Sequence, residues 1–170
     1  KKQLWKHSKY RCLFRPQTHD NFSRVISRAR FLLPVPQSVN ASTREILSKM
    51  NRDEVFSAVM GDLLILKFAA KLAAKHMHDA DRHVHVRDKV RQLGRLLIVL
   101  RRDYGIRSLC DGITPASFIT LLDAVKKVSG FDAATNEYAT PSLALHLGHA
   151  LKKCAVLLKS EGLQECDKDK

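Results

Sequence analysis

From Ala41 onward the apolar positions recur at helical spacing, and no stretch alternates convincingly with the period of two that marks a half-buried strand. Ser42 precedes a short helix running through Met50, and Asn51 or Asp53 is placed to cap a second one that ends near Gly61. Asp62 opens a stronger helix to about His76, with Leu64, Ile65, Phe68 and Leu72 at i, i+1, i+4 and i+8. After a His/Asp-rich turn from Met77 to Arg82, the next helix spans about 83–103. Its Val86, Val90, Leu93, Leu97 and Leu100 form one continuous apolar stripe. The segment Tyr104 to Ile113, with Gly105 and Gly112, reads as a loop.

Two further helices open alike, at Thr114-Pro115 and Thr140-Pro141, with Thr as N-cap and Pro at the first helical position, where its missing N–H costs nothing. The first is expected to bury Phe118, Leu121, Leu122 and Val125 and to stop at Gly130. The second is expected to bury Leu143, Leu147, Leu151 and Leu158. The pattern predicts an all-α fold, a compact five- or six-helix bundle over 41–162, with a tail at 163–170 that frays. Residues 1–40 break at Pro16, Pro34 and Pro36 around one helix-like stretch from Asn21 to Leu33, which suggests an irregular basic arm, with 16–40 as linker.

Composition sharpens this picture in one respect. The chain has 170 residues and a net charge of +13. Residues 1–31 carry nine Lys/Arg against one acid, and residues 82–102 carry seven against one, so everything outside these two blocks is close to neutral. Concentrated positive charge points to a polyanion, with nucleic acid foremost. No apolar run approaches the roughly 20 residues needed to span a bilayer, and no membrane partner is expected. Cysteines 12, 110, 154 and 166 show no pairing pattern, which suits a reducing compartment. The opening Lys1-Lys2-Gln3-Leu4-Trp5, without Met, reads as part of a longer chain.

Within the second block, Arg87, Arg91 and Arg95 fall at i, i+4 and i+8, about 100° around the helix from the apolar stripe. Arg102 roughly extends the row. Arg suits phosphate because its planar fork donates two parallel hydrogen bonds and stays charged. Lys67, Lys71 and Lys75 form a second row on the preceding helix, and antiparallel packing of the two helices would merge the rows into one basic face. The plainer alternative is a solvated helix surface. Few acids balance the Arg row, so we expect it to contact phosphate. On that basis, replacing all three arginines by Gln should weaken duplex binding and leave the thermal midpoint nearly unchanged.

His7 and Cys12 have the His-x4-Cys spacing of the second half of a small zinc finger; two ligands cannot close a tetrahedral site, so zinc would require an upstream Cys pair. A coincidental His and Cys on a frayed arm is the alternative. The run from His76 to His85 holds four imidazoles and two carboxylates, but no spacing within it fixes a helical ligand pair, and such residues are ordinary turn and cap material. No Gly-rich phosphate loop, nucleophile elbow or His-Glu-x-x-His is present. Cys110 has no neighbour in sequence that would specifically lower its pKa. The segment is therefore expected to be non-catalytic and to hold no cofactor, unless zinc binds in the longer protein.

Several pieces in order carry a resemblance: Lys2-Gln3-Leu4-Trp5-Lys6-His7 through Cys12, Met50-Asn51-Arg52-Asp53-Glu54-Val55, Asp62-Leu63-Leu64-Ile65, Lys75-His76-Met77-His78-Asp79, the run from Val90 to Leu97, and Thr140-Pro141-Ser142-Leu143 through His149. Together they resemble transposon-derived animal proteins that have Cys/His zinc fingers, a helical region and a tyrosine-recombinase-like C-terminal domain. The resemblance implies that residues 1–15 are the C-terminal half of a finger, with His7 and Cys12 its last two ligands. It also implies that the bundle takes the place of a recombinase core-binding domain, with DNA as partner and the nucleus as compartment. The recombinase Arg, His-x-x-Arg and Tyr belong to the C-terminal domain, and no His-x-x-Arg occurs here, so Tyr10, Tyr104 and Tyr138 are not expected to be nucleophiles. The alternative function is a protein-interaction or self-association module built on helices 115–129 and 141–159, with the basic stripe a mere surface. Leu145 and Val156, off the main stripe, favour it.

Overall fold

The structure is a computed structural model that describes residues 39–75 and 79–168. The arm, with His7 and Cys12, and residues His76, Met77 and His78 lie outside the described residues. Among those described, seven helices run in the order α1 (Ala41–Ser48), α2 (Glu54–Met60), α3 (Leu63–Lys75), α4 (Ala80–Tyr104), α5 (Leu109–Gly112), α6 (Phe118–Val128) and α7 (Pro141–Lys168), with a small hairpin before the last. The fold is helical as the apolar spacing predicts, with one more helix than expected and a pair of strands besides.

The helix starts are set by short polar side chains. Asn40, rather than a residue inside the first helix, caps α1 by accepting from the Thr43 N–H at 2.9 Å. Asp53 caps α2 through the Phe56 N–H at 2.9 Å, and Asp79 caps α4 by accepting from the N–H groups of Asp81 and Arg82. Asp62 caps two helices. Its Oδ1 accepts from the Ile65 N–H of α3 at 3.0 Å, while Oδ2 accepts from the Leu109 N–H, the first residue of α5, at 2.7 Å. The loop expected between Tyr104 and Ile113 therefore contains a helical turn, whose first N–H is tied to a buried carboxylate 47 residues upstream. Gly105 ends α4 at φ 68°, a left-handed conformation that glycine adopts without steric cost.

Helix α4 is the hub, packing against α1, α2, α3, α6 and α7. Its stripe is fully buried at Val86, Val90, Leu93, Leu97 and Leu100, joined by Leu96. Each such side chain contributes about 1.5–3 kcal/mol when taken from water. Helix α3 is buried on several sides at once, with Ile65, Leu66, Phe68 and Ala69 all inside, because α1, α2, α4, α5 and α7 surround it. Gly94 permits close approach of α2 to α4: a Cβ there would lie 2.8 Å from both Val55 Cγ1 and Val59 Cγ2.

Four expectations are corrected in the C-terminal half. The Thr114-Pro115 signal forms a turn, with Thr114 Oγ1 accepting from the Ser117 N–H at 3.2 Å, and α6 begins one turn later at Phe118. Its buried face is Leu121 and Ala124, so Phe118 (54% exposed) and Leu122 (42%) face solvent instead of the core. The stretch between the last two helices forms a hairpin. Phe131–Asp132 pairs antiparallel with Glu137–Tyr138, stabilised by a tilted Phe131/Tyr138 contact with ring centroids 4.8 Å apart and by Asp132 Oδ1 accepting from the Ala134 N–H. Two-residue strands are too short to show alternation. Pro141 does stand at the first helical position of α7, but that helix continues through Gly162 to Lys168.

Candidate functional site

The charged rows predicted from the sequence meet different fates. Arg91 lies against α2, where both its terminal nitrogens reach the Asp53 carboxylate and one also donates to the Asn51 carbonyl at 3.4 Å. It buttresses the α2 N-cap. Burial alone would raise the Asp53 carboxyl, but the hydrogen bonds from Arg91 and the Phe56 N–H, with the Arg91 charge, outweigh it and hold the group below its ordinary value. Arg87, one turn earlier, is half-buried and Arg95, one turn later, is exposed.

Arg102 is also engaged. It donates to the neighbouring Asp103 at 2.7 Å, and Lys127 of α6 reaches the other oxygen of the same carboxylate at 2.6 Å. Hydrogen bonds from Arg102 and Lys127 are what depress Asp103, to about 2. This cluster fastens the C-terminal end of α4 to that of α6.

The lysine row on α3 borders α7, not α2. Lys67 pairs with Glu161 of α7 at 2.7 Å. Lys71 and Lys75 are exposed and line a groove of about 430 Å³ between the two helices. Across from them stand Lys152 and Lys153 of α7, with His149 one turn earlier. No ion pair among the described residues engages Lys71, Lys75, Lys152 or Lys153, and no carboxylate stands among the described residues lining the groove. The positive field extends to α4. Burial first, and the charge of Lys153 second, push Lys89 below the ordinary lysine value.

The single basic face expected from the Arg and Lys rows is thus divided. The Arg row runs beside α2 and is partly consumed there, whereas Lys71 and Lys75 join two lysines that the apolar pattern of α7 did not single out. A signal for the pair existed. Lys152-Lys153 follows His149 by three and four positions, flanking the Leu147/Leu151 stripe on the outward side.

The described residues offer little else to chemistry. No three His, Cys, Asp or Glu side chains among them come together to hold a metal ion. None of the described helices is long and apolar enough to cross a membrane. Cys110 is exposed, and Cys154 is buried in α7, where burial, helped by the Asp62 charge, pushes its thiol up to about 12. No protein-family model, no curated protein and no solved structure matches the chain.

Proposed function

We propose that this chain is a non-catalytic, DNA-binding helical domain that grips backbone phosphates, with Lys71, Lys75, Lys152 and Lys153 at the centre of the contact and Arg87 and Arg95 at a second one. The observation that carries this reading is the convergence of four exposed lysines from two helices, with no carboxylate among the described residues that line the groove between them. On a salt-bridge-laced surface each would have a partner, as Lys67 and Arg91 do here. Lys ammonium groups hold phosphate as point charges and release condensed counterions, so binding is sequence-tolerant and steeply salt-dependent. The resemblance to transposon-derived proteins supports the same assignment. In that setting the bundle stands in for a recombinase core-binding domain, clamps one side of a duplex, and works in the nucleus beside a zinc finger completed upstream of His7 and Cys12.

The test is fluorescence anisotropy of a labelled duplex against the whole chain over a range of salt. Replacing Lys71, Lys75, Lys152 and Lys153 together by Gln should lower affinity by more than tenfold. It should also flatten the log–log salt slope by about 3–4, because each phosphate a lysine neutralises adds about 0.9 to that slope. Circular dichroism should show the fold unchanged, since all four side chains are exposed. Unaltered affinity and slope would sink the assignment.

A second reading, an assembly module, has one specific observation in its favour. Phe118, Ile119 (66% exposed) and Leu122 form an apolar patch on α6, and Leu145 adds an exposed apolar side chain on α7. A salt-insensitive dimer in sedimentation, without affinity for DNA, is the outcome that would favour it.

A further inference from the structure

The groove between α3 and α7 has an apolar floor beneath its charged rim. Phe68 and Leu72, one turn apart on α3, are its buried base, and Val156 of α7, 51% exposed, is the apolar side chain open to the groove. A phosphate backbone lying across the rim leaves Val156 in water. The floor and the rim together suit a ligand that is apolar at one end and anionic at the other.

Size selects among such ligands. About 430 Å³ falls within the span of small-molecule sites, roughly 300–1,000 Å³. On the side toward Lys67 the free positive charge stops, because Lys67, one turn before Lys71, is neutralised by Glu161. An acidic protein helix laid in the groove would meet that carboxylate after about two turns. Within the groove, Lys71 and Lys75 stand at i and i+4 on α3, a spacing at which like charges repel. Lys153 is close enough to Lys89 for their charges to oppose each other. An anion placed among these ammonium groups relieves both repulsions, while the aliphatic lysine stems extend the apolar wall.

We propose that this groove binds a small amphipathic anion, with an acyl or aryl body against Val156 and the lysine stems, over the base that Phe68 and Leu72 form, and a carboxylate or sulfonate head among Lys71, Lys75, Lys152 and Lys153. Ammonium groups impose no fork geometry, so the site selects for the union of apolar body and negative charge rather than for one head-group shape. The proposal does not rest on DNA binding. It rests on the floor, which a duplex does not use.

The test titrates the whole chain with anilinonaphthalene sulfonate, followed by fluorescence, and displaces the dye with laurate. One saturable equivalent of dye, displaced by laurate but not by acetate or by the uncharged dodecanol, is the expected result. Val156→Glu puts a carboxylate at the floor on a half-exposed position and should weaken dye and laurate binding more than tenfold with the circular dichroism spectrum intact. Ile119→Ser, on the separate apolar patch of α6, should leave both unchanged. Dye binding that survives Val156→Glu, or that is lost on Ile119→Ser, overturns the proposal. Equal displacement by dodecanol overturns the anion requirement, and displacement by an acidic helical peptide but not by laurate overturns it in favour of a protein-docking groove. Duplex affinity, read separately with the lysine variants, leaves each of these outcomes as it stands.

Discussion

Arg91 of α4 and Asp53, the N-cap of α2, form a two-pronged ion pair across the helix interface where Gly94 lets α2 approach most closely. The pair makes Arg91 a structural residue inside a row that otherwise looks like a phosphate contact. Arg91→Gln should therefore lower stability by about 1 kcal/mol, because it removes a largely buried charge-assisted partner from a helix cap, whereas Arg95→Gln should stay within about 0.5 kcal/mol. This reverses the expectation that the triple Arg-to-Gln variant keeps its thermal midpoint. The pH dependence has a definite sign. Asp53 titrates lower in the folded chain than in the unfolded one, so the pair stabilises fully above the ordinary carboxylate range and is lost as pH falls through the depressed folded value. The gap in urea midpoint between Arg91→Gln and the parent should narrow below about pH 4. A gap that is constant down to the acid transition would show that Arg91 acts by packing alone.

Asp62 should be the most sensitive acidic position in the fold. One buried carboxylate satisfies the first turn of α3 and the start of α5, so Asp62→Ala leaves two buried N–H groups without partners. A loss of about 2–4 kcal/mol is expected in urea unfolding. Asp79→Ala, which uncaps α4 at an exposed site, should cost about 1 kcal/mol. Equal costs for the two would mean that the link from Asp62 to α5 contributes nothing.

The contrast between these caps shows what is legible in the chain and what is not. Asp53 as a cap, the α4 stripe from Val86 to Leu100 and Pro141 at a helix start all follow from local spacing, because their causes lie within one or two helical turns. Helix α6 resists such a reading because Phe118, Ile119, Leu121, Leu122 and Val125 spread over about half of its circumference, opposite Thr120, Asp123 and Lys127, and periodicity alone does not say which part of so wide an apolar face the bundle covers. The candidate site is obscured in the same way. Arg91 is matched by Asp53, 38 residues upstream, and Lys71 meets Lys152 across a helix pair, so neither the loss of one phosphate candidate nor the gain of another has a local signature. The short turn of α5 depends on a partner farther away still.

Glycines on two helices should respond in opposite directions to the same substitution. Gly94→Ala gains helix propensity of about 1 kcal/mol, but its Cβ would crowd two valine methyls at 2.8 Å and the Val55 carbonyl at 3.2 Å. Overpacking of that kind costs about 1–3 kcal/mol, so the net change should be destabilising. Gly148→Ala on α7 meets nothing within 4 Å and should stabilise by about 0.5–1 kcal/mol. Thermal unfolding of the two variants checks the sign. A stabilised Gly94→Ala would mean that α2 shifts away from α4 without cost.

The cysteines at 110 and 154 should separate cleanly by reactivity. Attack on a maleimide or an aromatic disulfide needs the thiolate, and Cys154 is both buried in α7 and held protonated, its thiol pushed up to about 12. Cys110 sits exposed in α5, with no comparable burial. At neutral pH, labelling followed by peptide mass mapping should modify Cys110 readily and leave Cys154 unmodified until denaturant is added. Because Cys154 is reached only through opening of α7, its labelling rate in the native chain should rise in Asp62→Ala, which loosens α3 beneath it. Rapid native labelling of Cys154 in the parent chain would contradict the burial of α7 against α3 and α4, and with it the helix pair that forms the lysine groove.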